Sequence, residues 1–480
     1  ARMMIPLMQM LIHGMREQDI GRVGIYARAV VPQISACSES RYQFLKSTLI
    51  DNDYTHDLFL DVLHALQRSF DCLGFSCEDI GAYKTSVIAE CADVPADYPI
   101  AGYTPTTDVR EHAKIDLDVK QIEILSMYNA FTTAGRYYMY GKNSKEDGGY
   151  RSLHGLATST NRAQVDPWFN IFNSYFGSED YADVSIRAAL DETGAWAAAS
   201  KEQRSASIVN TAKTSVMTMY GLREFYDARA NCLSGGNVKS SASSPRTSIH
   251  RGESSWDRGI AFFTGSLEGG KEDGSDTIDG QLFFNVAKQM CVYFGTCNSR
   301  PSSSFNNAKV NEELLALFIS GKGLVVANTC EELSSTIKQI ESLLLVALFQ
   351  GTVHFAILSQ NEERGTTNSD VAIADAYTKS ILPLIHHYDE DAGLLLEGNL
   401  VYSHTRQPVV GGIDAVTQSL NDAINAGLTV DCTKVGAQEG VGLCPDEFFS
   451  NSSSDTHISA PISVLFEIII LGGASLLLLS

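Results

Sequence analysis

Positive charge is scarce in this sequence. Its 480 residues hold 36 lysines and arginines against 57 aspartates and glutamates, a net charge of −21. Such a surface repels nucleic acid and anionic lipid and gathers cations, which argues against a nucleic-acid role. Acidity alone makes no metal site, because it serves solubility equally well. Common enzyme signatures are missing too. The chain has no His-Glu-x-x-His, no Gly-x-Ser-x-Gly, no P-loop and no Gly-x-Gly-x-x-Gly. No enzymatic activity is expected. The Cys-x-x-Cys spacing of zinc ribbons is also absent. Strand-like alternation is rare, with residues 321–328 the best short candidate.

What is present reads as globular: 44% hydrophobic and 19% charged residues, in a chain long enough for two to four domains. Ten cysteines are spread along it, several beside turns, as with Cys72 and Cys77, Cys291 and Cys297, Cys432 and Cys444. An even count in a non-cytosolic setting points to disulfides; buried free thiols are the other reading.

The first fifteen residues lack a clear signal-peptide pattern, because Gln9, His13 and Arg16 break the apolar run and no small-residue cleavage site follows. A targeting signal upstream is expected. Residues 451–455 are Ser-rich, and residues 462–479 are nearly all apolar, with Glu467 the only charge. The order of spacer and tail resembles a GPI-anchor signal, with a spanning helix or a buried core helix as rivals. Asn451-Ser-Ser is a glycosylation sequon in that spacer.

Internal repetition is the most informative pattern. Ile25-Tyr-Ala-Arg-Ala-Val-Val-Pro-Gln-Ile34 lines up with Ala376-Tyr-Thr-Lys-Ser-Ile-Leu-Pro-Leu-Ile385. Upstream, Leu11-Ile-His-Gly14 matches Leu348-Phe-Gln-Gly351. Downstream, the stretch 73–82 matches 428–437, and Cys91 falls opposite Cys444. The chain is therefore read as a partial repeat (1–92), a Pro-containing linker (93–117), a complete copy (118–445), a spacer (446–461) and a membrane anchor or GPI signal (462–480). The matches imply bridges Cys77–Cys91 and Cys432–Cys444.

Helical periodicity dominates. Val310, Leu314, Leu317 and Phe318 share a face, with Gly321 placed as a C-cap. Thr329 and Glu332 form a candidate capping box ahead of Leu333, Ile337, Ile340 and Leu344. Ile373, Tyr377, Ile381 and Leu384 make another stripe, bent at Pro383. The fold expected is mainly α: a helical repeat domain with long loops, notably 233–256 and 299–308, preceded by a partial copy.

Chemistry concentrates in few places. Arg136-Tyr-Tyr-Met-Tyr-Gly-Lys-Asn-Ser144 with Gly149-Tyr-Arg-Ser-Leu153 crowds tyrosines and arginines around a turn. Phenolate and carboxylate oxygens suit Fe(III), and an arginine fork suits carbonate or phosphate. Tyr137, Tyr138 and Tyr140 read equally as packing aromatics; Tyr138 faces away from the other two. The acidic turn 177–183 is placed to close over such a site. Gly265 and Gly269 bracket Glu268, which suggests backbone crowded near a carboxylate; Trp256 and Phe262 read as core. The candidate metal ligands are Tyr140, Tyr150, Asp180, Tyr181 and Glu268, with Arg151 for the anion. The run from Ile385 to Asp391 supplies a second cluster, His386, His387 and Asp389, with a solvated acidic helix end as its plain alternative.

Tyr140-Gly-Lys-Asn-Ser144 with Gly149-Tyr-Arg-Ser-Leu153, Ala261-Phe-Phe-Thr-Gly-Ser-Leu-Glu-Gly269, Cys291-Val-Tyr-Phe-Gly-Thr-Cys297 and the stretch from Gln350-Gly-Thr352 to Pro383 occur in one order. In these the chain resembles the algal Fe-assimilating family, which includes the diatom iron-starvation-induced proteins called phytotransferrins. The resemblance spans about 118–445 and the partial copy. It implies capture of ferric iron at the cell surface with carbonate as synergistic anion, then internalisation, with endocytic or ferric-reductase partners. Two alternatives stand beside it: a surface structural or adhesive protein without metal, and an imelysin-like helical metal-dependent hydrolase.

Overall fold

In this computed structural model the described residues are 3–51, 54–75, 77–81, 99–146, 148–159, 166–235, 246–270, 279–298, 307–360, 369–403 and 408–443. The fold is mainly α. Residues 1–443 form one compact unit. The spacer, the apolar tail, Asn451, Cys91 and Cys444 lie outside the described residues.

The N-terminal segment consists of α1 (Met4–Arg16), α2 (Ile20–Ile34), α3 (Glu39–Lys46) and α4 (Phe59–Gln67). The body continues with α5 (Ile115–Met127), α6 (Phe131–Tyr140), α7 (Leu153–Ala157), α8 (Pro167–Phe176), α9 (Tyr181–Asp191) and α10 (Lys201–Thr211). It is completed by α11 (Thr218–Gly235), α12 (Arg246–Thr264), α13 (Phe283–Phe294), α14 (Lys309–Val326) and α15 (Leu333–Gln360), then α16 (Asp370–Lys379), α17 (Leu382–Tyr388), α18 (Glu390–Leu400) and α19 (Gly412–Asn425). Among the described residues, sheet is limited to three two-stranded ribbons: β1–β2 (Lys145–Glu146, Gly149–Tyr150), β3–β4 (Cys297–Asn298, Asn307–Ala308) and β5–β6 (Ala437–Gln438, Val441–Gly442).

Local chemistry sets the helix ends. Asp166 caps α8 by accepting the Phe169 N–H, Pro167 opens the helix, and Gly177 closes it at φ 65°. Ser200 and Gln203 form a reciprocal capping box at α10. The box expected at Thr329 does not form: the Thr329 hydroxyl donates to the Leu324 carbonyl, and α15 starts at Leu333. Gly321 lies inside α14, and residues 321–326 are helical, not a strand. The reason is tertiary. A Cβ on Gly321 would stand 1.9 Å from Trp256 Cζ2, so only glycine lets the indole against the helix, where Nε1 donates to the Phe318 carbonyl at 2.9 Å. Trp256 itself sits in α12, within the stretch read as a loop. Pro383 falls in the first turn of α17, where its missing N–H costs nothing.

The largest core runs through α11–α19, with Trp256, Phe225, Phe263 and Phe318 at its centre. Helix α15 is long and apolar enough to cross a membrane, but it is largely buried as the core helix of this body. A second core lies within α1–α4, and a third joins α5, α6, α7 and α9. The segment read as a linker packs into the body from Ile100 onward: Tyr103 is buried, its hydroxyl donates to Asp257, and the Thr106 and Thr107 N–H groups reach the same carboxylate.

The two stretches matched in sequence show a parallel order of elements. Helices α1 and α2 pack together, as do α15 and α16, and a short turn (Cys77–Ile80 or Cys432–Val435) returns to the first helix of each. The Ile80 carbonyl accepts from Gln9 Nε2 at 2.9 Å, and the Val435 carbonyl from Gln350 Nε2 at 2.7 Å. The N-terminal segment is clasped to the body by Asp279. This carboxylate accepts from the Ser38 hydroxyl at 2.5 Å, from the Glu39 N–H at 2.8 Å and from the Ser40 N–H and hydroxyl, at the N-terminus of α3. Lys120 Nζ stands 3.9 Å away.

Disulfides join Cys37–Cys72, Cys232–Cys330 and Cys291–Cys297, and Cys432 is also bonded. Among the described residues no cysteine is free. The implied partners Cys91 and Cys444, and the side chain of Cys77, fall outside the described structure.

Candidate functional site

The two segments singled out for chemistry meet, though through neighbours of the residues expected. Helix α6 ends at Gly141, φ 60°, where a Cβ would stand 2.1 Å from the Arg151 carbonyl oxygen. Only glycine permits that approach, which brings the chain after β2 back beneath α6. Ser152 then caps α7 by accepting the Gly155 N–H at 3.0 Å, and His154 follows in its first turn. From the other side comes Asp183, in the first turn of α9.

Asp183 is the centre of the corner. Its Oδ1 accepts the Tyr138 hydroxyl at 2.8 Å and lies 2.8 Å from His154 Nδ1. Its Oδ2 is 3.2 Å from Arg187 Nε, one turn further along α9. Tyr138 and Asp183 are buried, whereas the His154 side chain is 29% exposed and Arg187 more so, so the corner reaches solvent on that side. A carboxylate only accepts, so Nδ1 is assigned the proton and Nε2 presents its lone pair. Burial pushes the Tyr138 phenol well above its ordinary pKa, and the charge on Asp183 adds to this. Two protons therefore lie between a phenol, an imidazole and a carboxylate. Their replacement by one cation would give it two anionic oxygens and a nitrogen.

Asp183 is held by Tyr138, His154 and Arg187 and not by the residues expected as ligands. Tyr140 is 71% exposed at the end of α6, and Tyr150 is 44% exposed on β2. Arg151 is engaged within its own hairpin, donating to Ser144 Oγ at 2.7 Å with Glu146 at 3.5 Å; burial lowers its pKa. Asp180 precedes α9, accepts the Ser178 hydroxyl, and adds to the field that raises the Tyr138 pKa. Tyr181 packs on Phe176 and Phe172. Glu268 is buried and ion-paired with Lys288 of α13. The crowding foreseen at Gly265 involves Asp116 instead: a Cβ there would stand 2.5 Å from its Oδ2, which accepts the Leu267 N–H.

The cluster His386, His387 and Asp389 is not gathered around a centre. His386 packs edge-on against Tyr175, His387 against Tyr388, and Asp389 caps α18 through the Ala392 N–H at 2.9 Å. Among the described residues no three histidine, cysteine, aspartate or glutamate side chains form a metal-sized group. The Asp183 corner adds a tyrosine to one histidine and one carboxylate. Tyr138, His154 and Asp183 were missed because each lies one to four residues from a more conspicuous neighbour. Ala134 and Tyr138, one turn apart and both buried, mark the inward face of α6.

Residues 82–320 match the model of the Fea1 family, whose description is low iron-inducible periplasmic protein. The span holds the whole Asp183 corner; it takes in the stretch read as a linker and ends well before residue 445. No curated protein and no solved structure matches the chain.

Proposed function

We propose that this chain, whose residues 82–320 match a low iron-inducible family, binds ferric iron outside the cell for iron uptake, with carbonate as synergistic anion. The observation that carries the reading is the convergence of Tyr138, His154 and Asp183 within 2.8 Å contacts at a solvent-reaching corner. Phenolate and carboxylate are hard donors matched to Fe(III), and imidazole is a good third ligand. Carbonate fills remaining positions, and the Arg187 guanidinium beside Asp183 is the fork that holds it, in place of Arg151. Acid then releases the metal, because protons reclaim the phenolate, the imidazole and the carbonate. The apolar run at 462–479 serves as the tether to the membrane.

Tyrosinate bound to Fe(III) absorbs in the visible. The intact chain, given Fe(III) and bicarbonate, develops that band and loses it as the pH falls toward about 5, as protons compete with the metal for its ligands. Tyr138→Phe abolishes the band; His154→Gln and Asp183→Asn weaken binding by more than the roughly 10–100-fold seen for outer-shell losses. A band that survives Tyr138→Phe removes the assignment. Deleting residues from Asn451 onward releases folded protein into the medium if the tail is the tether.

A further inference from the structure

Tyr138 on α6 and His154 on α7 meet edge-on, with ring centroids 6.0 Å apart. The chain between the two helices sets that spacing. Its second half is a closed hairpin: the Ser144 carbonyl accepts the Arg151 N–H at 2.8 Å, and Ser152, the cap of α7, follows directly. Glu111 ties the hairpin down, its carbonyl accepting from Ser144 Oγ at 2.6 Å and its carboxylate from the Lys145 N–H at 3.0 Å. The link from α6 into the hairpin, Lys142 and Asn143, is held by a different group. Asp118 of α5 accepts Asn143 Nδ2 on Oδ1 at 2.7 Å, and on Oδ2 the Lys142 N–H at 3.2 Å and the Asn143 N–H at 3.4 Å. Asp118 and Asn143 are both buried. The Lys142 ammonium plays no part in the anchor, because it turns away to Tyr137 Oη at 3.0 Å.

Stability does not account for this carboxylate. Burial pushes Asp118 up to about 6, although the donors on Lys142 and Asn143 and the Lys142 charge oppose the rise. Near neutral pH the ionised group therefore costs the fold stability. What it supplies is geometry, two oxygens that together accept from three N–H donors of one turn. We propose that Asp118 is a positioning residue of the Asp183 corner: by pinning Lys142 and Asn143 it sets where α6 ends relative to α7, and so brings Tyr138 and His154 to the same carboxylate. Its importance for metal affinity rests on the reading of that corner as an iron site. Asp118 contacts none of Tyr138, His154 and Asp183 through a hydrogen bond of its own; its effect passes along residues 141–152.

Two readouts test this in the full chain. In metal-free protein, proton NMR follows the His154 ring N–H held by Asp183, identified by its loss in His154→Gln. In Asp118→Ala that signal broadens into exchange with water. With Fe(III) and bicarbonate, the affinity read from the tyrosinate band falls roughly 10–100-fold in Asp118→Ala, as for the loss of an outer-shell partner. Asp118→Asn restores both readouts: its oxygen turns to the two backbone N–H groups and its nitrogen donates to Asn143 Oδ1, whose amide turns to suit. Gly321→Ala, a lesion in a different core, is the control for lost stability and leaves both readouts unchanged. Parent behaviour in folded Asp118→Ala protein overturns the proposal. Equal losses in Asp118→Ala and Gly321→Ala overturn it too, because they show a structural role only. If Asp118→Ala does not fold, Asn143→Ala, which leaves both backbone contacts, carries the test: a smaller loss is expected, and no loss overturns the proposal. A parent chain without a tyrosinate band refutes the iron reading instead, and the His154 proton then decides the role of Asp118.

Discussion

At Asp116 burial and hydrogen bonding pull in opposite directions, and replacing it by asparagine separates them. The side chain is fully buried in α5. It accepts the Leu267 N–H at 2.7 Å and the Ser266 hydroxyl at 2.8 Å, yet desolvation outweighs both and raises its pKa from 3.8 to about 6. The sign follows from linkage. The folded state holds this proton more tightly than the unfolded chain, so the contribution is fully present below about pH 4 and is lost as pH rises through about 6. Moving from 3.8 to about 6 corresponds to a ceiling of roughly 3 kcal/mol, and relaxation reduces it. Asp116→Asn is nearly isosteric. Its amide oxygen still accepts from Leu267, and its amide nitrogen donates to Ser266 Oγ, whose hydroxyl turns to suit. The variant is therefore expected to be more stable than the parent at pH 7.5, by about 1–3 kcal/mol, and nearly equal to it at about pH 3.5, below the unfolded value. Urea unfolding across that range reads the difference directly. Equal destabilisation at both pH values would show that the fold depends on the ionised carboxylate and would refute the reasoning.

Gly321→Ala gains about 1 kcal/mol in helix propensity but needs the Trp256 ring to retreat from a Cβ at 1.9 Å. Overpacking of about 1–3 kcal/mol or more wins, so the melting temperature falls; an unchanged melting curve would mean that the indole has room. Asp279→Ala removes the acceptor shared by Ser38, Glu39 and Ser40 beside Lys120. Amide exchange at 38–41 accelerates, ahead of the rest of the chain, and uniform exchange would show that the clasp is not what holds α3 in place. Replacing Cys232 and Cys330 by serine opens a loop of 98 residues and costs at most roughly 4–5 kcal/mol. A denaturation midpoint that does not move would mean the bridge constrains nothing.

Helical periodicity is a property of one stretch at a time, so the sequence by itself determined the helical class, the stripe on α15 and the inward-facing Trp256 and Phe262. Motif order along the chain likewise singled out residues 136–153 and 177–183, which the fold brings together where Tyr138 meets Asp183. Tertiary structure decided the rest. Whether a glycine ends a helix or admits a neighbour depends on what lies opposite, and Gly321 faces an indole that is 65 residues earlier in the chain. Which tyrosine of Tyr137, Tyr138 and Tyr140 faces a carboxylate depends on where α9 crosses α6. The crossing favours the buried Tyr138 over the exposed Tyr140. Asp118 reaches the turn at Asn143 from α5, so no local window pairs them. Groups that distant in sequence become neighbours only when the core closes, and only then does burial shift their proton affinities.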